Sequence, residues 1–396
     1  MNPTEGSDNS STISSELISN VFTELIIHKP SYLSDFEHDF FRFCNNIISG
    51  LQKTKTIDQV FTIFLTFQLF SIICQPSVSY EIQKENPDDT FRFLFFFTNF
   101  YSNPKSDPSL FFFYFLDILM FTCVFFFLLG IHLSYKKIYS NKKLQISYSI
   151  FVFNLSQILF FVSANYASRL FCKIIILKET FFLIQAIISI VFFILISIIR
   201  YLMINSVHQS IVFQNYGLDY LFCNALLNSA FVMIIIISNF GTFLLSPEKS
   251  IVLQGLLLCF FGISLFYFSL YPMNFHNDIN SIQLSISSTI FFSGILSLFQ
   301  AGGIITNNHS VVFSLFFMMI FFYLFFIYIT GHIKRQICEN VEKLDSKNPD
   351  FDSLNIKNDN MAITYLHLLF DEAYPYICNG SFISWMIYNF DSEKVN

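Results

Sequence analysis

The residue that most invites a chemical reading is Asp117. It is the one charge in "FFFYFLDILMFTCVFFFLLG", Phe111 to Gly130, a run otherwise aromatic and aliphatic apart from one Thr and one Cys. An ionisable group buried in such a run is a site hypothesis by default, because inserting its charge into a bilayer costs about 3 kcal/mol. Two chemistries fit. The carboxylate would serve ion or proton passage, or the protonated acid would hydrogen-bond to a neighbouring helix, a contact worth about 1 kcal/mol. Asn154, Gln157, Gln185, Asn224, Asn228 and Gln254 are candidate partners in other apolar runs. A pump calls for several acids in register, and only one is deep here.

Other chemistries find little support. The eight cysteines, Cys44, Cys74, Cys123, Cys172, Cys223, Cys259, Cys338 and Cys378, form no C-x-x-C pair and have no histidine set at zinc spacing, so no metal site is expected. The phosphate-loop, dinucleotide, nucleophile-elbow and H-E-x-x-H patterns are absent, and neither catalysis nor a cofactor is expected. "SLFQAGGIITNN" groups Ala301, Gly302 and Gly303, which suits either a helix end or a broken helix of the kind transporters use; the turn directly after it favours the helix end. The sequon "NHS" at Asn308 falls close to the bilayer, and "NGS" at Asn379 falls in the tail.

These residues need elements to hold them. The 396 residues are 54% hydrophobic and 13% charged, far from the roughly 25% charged of soluble domains. The net charge of −6 with dispersed basic residues disfavours a nucleic-acid partner and leaves the lipid bilayer as the expected one. The excess of Phe carries no functional weight by itself. Met1 to Ser15 is polar and lacks the core of a signal peptide, so insertion is expected from internal spans.

A helix crossing about 30 Å of hydrocarbon needs about 20 apolar residues, and continuous rather than alternating runs exclude a barrel. Eight spans are predicted: Ile57 to Pro76, Leu110 to Leu133, Leu144 to Ala167, Phe181 to Ile204, Leu221 to Leu245, Ile251 to Tyr271, Ile282 to Ile305 and Val311 to Thr330. Asp58 and Gln59 make the first the shortest in clean core. No Asp, Glu, Lys or Arg occurs from Ile279 through Ile333, so "ITNNHS" is expected to turn the chain between the last two spans. The aromatic patch "FRFLFFFTNFY" is too short to cross and is expected at the interface or as a cap on the bundle. Lys136, Lys137, Lys142, Lys143, Lys334 and Arg335 lie on one side of an eight-span topology, which puts both termini in the cytoplasm; Arg169, Lys173 and Lys178 fall on the other side. A plasma membrane is the expected location.

Beyond the last span, Ile333, Ile337, Val341 and Leu344 recur at steps of four, four and three. That period predicts an amphipathic helix, either rigidly continuing the span as a coupling helix or lying at the interface. "MAITYLHLLFDEAYPYICNGSFISWMIYNF" then reads as two short amphipathic helices broken near Pro375 and Gly380, with Ser381 as an N-cap.

The Phe-rich spans followed by "TGHIKRQICENVEKLD" and "LHLLFDEAYPYICNGSFISW" resemble the N-terminal membrane region of large trichomonad proteins similar to tiny macrocysts proteins, many of which continue into a class III nucleotide cyclase domain. The resemblance runs from about Leu110 onward and implies a multi-pass module ahead of helical-repeat and cyclase regions. No cyclase metal-binding or base-binding residue can be mapped onto this chain, so it implies no cyclase activity here.

The expectation is an all-α polytopic transmembrane bundle. A polar N-terminal segment with an amphipathic helix (1–56) precedes about eight spans (57–330), and a short helical cytoplasmic tail (331–396) follows. Its expected role is a non-catalytic sensing, anchoring or dimerising module of a signalling protein, with the tail offered to a second copy or to other subunits. A transporter or channel using Asp117 is the alternative.

Overall fold

The computed structural model describes residues 39–44, 46, 47, 50, 55–82, 88–100, 110–138, 141–176, 178, 183–209, 225–270, 277–344, 350–354, 356, 361, 365, 382 and 385. It is 92% helical, with no strand among the described residues. The helices are α1 (Lys55–Ile73), α2 (Gln75–Ile82), α3 (Asp89–Asn99), α4 (Leu110–Tyr135), α5 (Lys142–Ser147), a π-helical segment (Tyr148–Leu155), α6 (Ser156–Ile176), α7 (Leu183–Gln209), α8 (Ala225–Leu244), α9 (Pro247–Leu270), α10 (Asn277–Ala301) and α11 (Asn308–Glu342). Among the described residues, seven helical stretches are long and apolar enough to cross a membrane, or eight if the bent pair α1 and α2 is one span.

The burial pattern is inverted relative to a water-soluble bundle. On α4, Phe113, Leu116, Met120, Cys123 and Phe127 face inward at helical spacing, while Tyr114, Phe115, Ile118, Phe121, Phe125 and Leu128 are exposed. Ser285, Ser287, Thr289, Ser293 and Ser297 of α10 are buried. Large apolar residues outside and hydroxyls inside suit hydrocarbon as the solvent, because lipid welcomes Phe whereas a hydroxyl needs a protein partner there. The chain is accordingly an integral membrane protein.

The first span departs from the sequence reading. Pro76 does not end it but starts a second piece: α1 stops at Ile73, α2 begins at Gln75, and the two are bent by 70°. Lacking an N–H, Pro76 leaves the Ile72 carbonyl without its i+4 donor, and its ring crowds that carbonyl. Ser293 of α10 donates to the neighbouring Ile73 carbonyl at 2.6 Å, which satisfies part of the opened backbone. Most of the aromatic patch lies in α3, with Phe91, Leu94, Phe95 and Phe97 buried against the bundle and Phe93 and Phe96 exposed. Gln68 and Ser71 of α1 donate to its Phe97 and Leu94 carbonyls at 3.1 and 2.5 Å.

Close helix contact occurs where side chains are smallest. A Cβ on Gly262 of α9 would stand 2.5 Å from the Phe291 nitrogen, and one on Gly294 of α10 would stand 2.6 Å from the Cys259 nitrogen. These glycines therefore bring the two backbones together. At the far end of α10 the helix-end reading holds. Gly303 adopts φ 73°, the Ile304 N–H returns to Phe299 O at 3.0 Å and the Gly303 N–H to Gln300 O at 3.1 Å, a Schellman closure. Asn307 then caps α11 through the His309 N–H at 3.0 Å.

α11 has 35 residues, about 52 Å at 1.5 Å per residue, and so outruns the hydrocarbon. Its last turns carry Ile333, Ile337 and Val341 into a second hydrophobic cluster with Phe351, Leu354, Tyr365, Phe382 and Trp385. Leu344 joins this cluster from just past the helix end. At the other terminus, Phe40, Phe43, Cys44 and Ile47 are helical and buried, with the Phe43 ring 5.8 Å from Phe127 and 5.3 Å from Tyr148. Residues 1–38, Asn379 and the expected helix break at Pro375, Gly380 and Ser381 lie outside the described residues.

Candidate functional site

The break at Pro76 turns α2 into the bundle, and its polar side chains meet three other helices and, through Ser238, a fourth. Gln75 Nε2 donates to Ser79 Oγ at 3.3 Å, Ser79 Oγ shares a hydrogen with Ser238 Oγ of α8 at 3.2 Å, and Ser238 donates to Gln254 Oε1 of α9 at 3.2 Å. Ser77 donates to Gln300 Oε1 of α10 at 3.3 Å. Gln300 Nε2 in turn donates to Asn308 Oδ1, and Asn308 Nδ2 donates to the buried carboxyl of Glu81. Asn308 begins α11, so its sequon amide is buried within this network.

The layer continues through the residue after Ser238. Asn239 Nδ2 donates to Asn165 Oδ1 at 2.8 Å and to Ser168 Oγ at 2.7 Å, and Asn165 Nδ2 donates to Asn99 Oδ1 at 2.6 Å. Arg169 Nη1 donates to the same Asn99 oxygen at 3.0 Å, with its guanidinium 5.3 Å over the Phe95 ring. Tyr166 donates to the Asn99 carbonyl at 2.7 Å. These amides and hydroxyls tie α2, α3, α6, α8, α9, α10 and α11 together at one end of the bundle, with a carboxyl and a guanidinium among them. Such a layer can bind a polar group or change its hydrogen-bond pattern as a unit.

Asp117 lies elsewhere. Gln185 of α7 donates its Nε2 to Asp117 Oδ2 at 3.0 Å, clamping α4 to α7, so one of the partners expected from sequence is the actual one. Asn154 and Gln157 are buried but do not reach Asp117; they stand where the π-helical segment passes into α6. Asn228 is buried on α8, Gln254 belongs to the polar layer, and Asn224 lies outside the described residues. The structure thus does not gather the described members of the expected polar site into one place. No group of three metal-ligating side chains occurs among the described residues.

The sequence reading missed two features. Arg200 sits four residues before the predicted end of its span, a position that suggests a side chain reaching for the interface. It is instead 2% exposed, with Nη1 3.5 Å from the Phe153 carbonyl. The Asn99, Asn165 and Asn239 chain was the second. Its only sequence signal is the run of small and polar residues in "VSANYAS", which gives a polar helix face but not the helices opposite it. No protein-family description, curated protein or solved structure matches this chain.

Proposed function

We propose that this chain is the membrane-embedded sensing module of a signalling protein, non-catalytic by itself, which receives a stimulus at the polar layer and delivers it to its tail. The observation that carries this reading is α11. One unbroken helix begins at Asn308, hydrogen-bonded within the layer, and ends at Ile337 and Val341, packed in the tail cluster. A displacement at its head has a rigid path to its foot, the small helix shift that many membrane and soluble switches use. The tail and both termini face the cytoplasm of a plasma membrane in this reading, and the tail's apolar cluster is offered to a second copy or to another signalling subunit.

Trp385 provides the test, because it is the chain's one tryptophan and lies in the tail cluster with its Nε1 donating to Asp352 Oδ1 at 2.9 Å. Asn308→Leu in the full chain, reconstituted in lipid nanodiscs, is expected to shift Trp385 emission as strongly as the local change Asp352→Ala. Unchanged emission from a folded Asn308→Leu protein would remove the relay. The broken pair α1 and α2 favours a second reading, transport, since discontinuous helices build transporter sites. Loss of flux in Asp117→Asn or Glu81→Gln on reconstituted protein would favour transport, and absence of flux in every form would favour the sensing module.

A further inference from the structure

We propose that the groove between α1, α3, α4 and the π-helical segment holds one acyl chain of a bilayer phospholipid, from the leaflet in which α4 begins. Phe64 of α1, Phe100 just past α3, Phe112 of α4 and Leu155 of the π-helical segment wall a cavity of about 400 Å³, within the range usual for ligand sites. The Phe64 and Phe100 rings close one side of it, 5.7 Å apart. Every described residue lining the cavity is apolar, so its walls offer nothing to a water or a headgroup. Val60, Phe96 and Phe115 line it and are themselves exposed, and on α4 the exposed face runs on through Ile118, Phe121 and Leu128. The groove is therefore continuous with the surface that the bundle already gives to lipid.

Length selects the occupant. At one end Phe112, in the first turn of α4, places its ring 6.2 Å from that of Tyr166 on α6. At the other end Leu155 stands eleven residues before Tyr166, about 16 Å along the helix axis. One leaflet supplies about 15 Å of hydrocarbon, half of the bilayer core. The depth agrees with this. Phe126 stacks on Phe151 at 4.9 Å, one turn before Leu155, and Phe126 lies just past the middle of the span Phe112–Tyr135. The groove thus runs from the start of α4 to the bilayer midplane. A helix about 10 Å across is too broad to enter it, and a sterol brings a hydroxyl that the walls cannot meet. An acyl chain is flexible, apolar and abundant. Hydrophobic free energy does not hold it, since bulk lipid is as apolar as the groove. Dispersion does, at about 0.1–0.2 kcal/mol per atom pair, because a chain in the groove touches four elements at once and one on the outer face of α4 touches a single helix.

The test is photolabelling of the full chain in nanodiscs of phosphatidylcholine carrying a diazirine on one acyl chain, read residue by residue by mass spectrometry. With the diazirine near the carboxyl end, label is expected to be several-fold higher at Phe100 and Phe112 than at the exposed Tyr114. With it near the methyl end, the same excess is expected at Val60 and Leu155 over the exposed Phe121 and Phe125. Leu155→Trp fills the groove and is expected to abolish both excesses. Val60→Trp, at a position 62% exposed where a larger ring leaves the fold intact, is expected to obstruct the groove and reduce them. Label spread evenly over groove and outer face would overturn the proposal and leave ordinary surrounding lipid. An excess undiminished in folded Val60→Trp and Leu155→Trp would overturn it as well. So would groove residues labelled by a diazirine sterol that excess phospholipid does not displace, or protected from every lipid label, as by a second copy seated there.

Discussion

The two buried polar regions are made of the same residue types and differ in how far they are satisfied. At the α2 end, the chain Asn99, Asn165 and Asn239 is joined across helices, Asn239 donating to Asn165 and Asn165 to Asn99. At the π junction, the Asn154 and Gln157 nitrogens find no protein acceptor. In hydrocarbon no water is available to make up the difference, so satisfaction decides what a polar residue does. The complete network specifies which helices meet.

The strongest way to break the comparison is to part the helices under the complete network. Gly294→Ala would put a Cβ 2.6 Å from the Cys259 nitrogen and 2.7 Å from Gly255 O, both backbone atoms that cannot swing aside. α10 would have to move, drawing Ser293 from Ile73 O and Gln300 from Asn308. The expected loss is about 3 kcal/mol, near the upper end for overpacking. It should appear as a lower unfolding midpoint in nanodiscs. Gly302→Ala is the control, because its Cβ meets only ordinary contacts at 3.5 and 3.7 Å, and its midpoint is expected to stay near wild type.

A sharper comparison makes one substitution in both regions. Asn239→Leu removes the donors to Asn165 Oδ1 and Ser168 Oγ, leaving buried acceptors bare at a cost of about 2 kcal/mol. Asn154→Leu deletes a donor that had no acceptor, and it is expected to be neutral or to stabilise by about 1 kcal/mol. Opposite signs would support the distinction. Equal losses in the two unfolding curves would abolish it.

The difference between these regions was only partly legible in the sequence. The later spans were, because runs such as Leu110 to Leu133 exceed the length that hydrocarbon demands whatever their neighbours are. The helix end at Gly303 and the continuation through Ile337 and Val341 were legible too, since a glycine turn and a helical period are local signals. Pro76 was recognised as a boundary but not as a bend into the bundle, because a proline breaks a helix without saying where the chain goes next. Asp117 could be matched to Gln185 only as one of several candidates. Which of Asn154, Gln157 and Asn239 would find partners depended on helix neighbours far apart in the chain, and spacing along one helix carries no record of them.

The smallest expected effect concerns the rim of the complete network, where Asp88 caps α3. The Thr90 N–H, donating to Asp88 Oδ1 at 2.9 Å, is the main cause holding this carboxyl below the ordinary carboxylate range. Slight desolvation works against it, and the Thr90 hydroxyl, His309 and Arg92 add to it. His309 lies 3.6 Å away in the first turn of α11, so the cap also touches the helix that carries the proposed relay. A lowered folded-state value means that the contribution is present above the unfolded carboxylate value of about 3.9 and disappears as pH falls through the folded value. Asp88→Asn is therefore expected to speed amide exchange at Thr90 at pH 6, and the difference from wild type should close as pH falls below about 4. A difference that persisted undiminished at low pH would show that the cap works through its shape and not its charge. The cap at the polar layer's rim would then be as indifferent to protons as the Asn99, Asn165 and Asn239 amides.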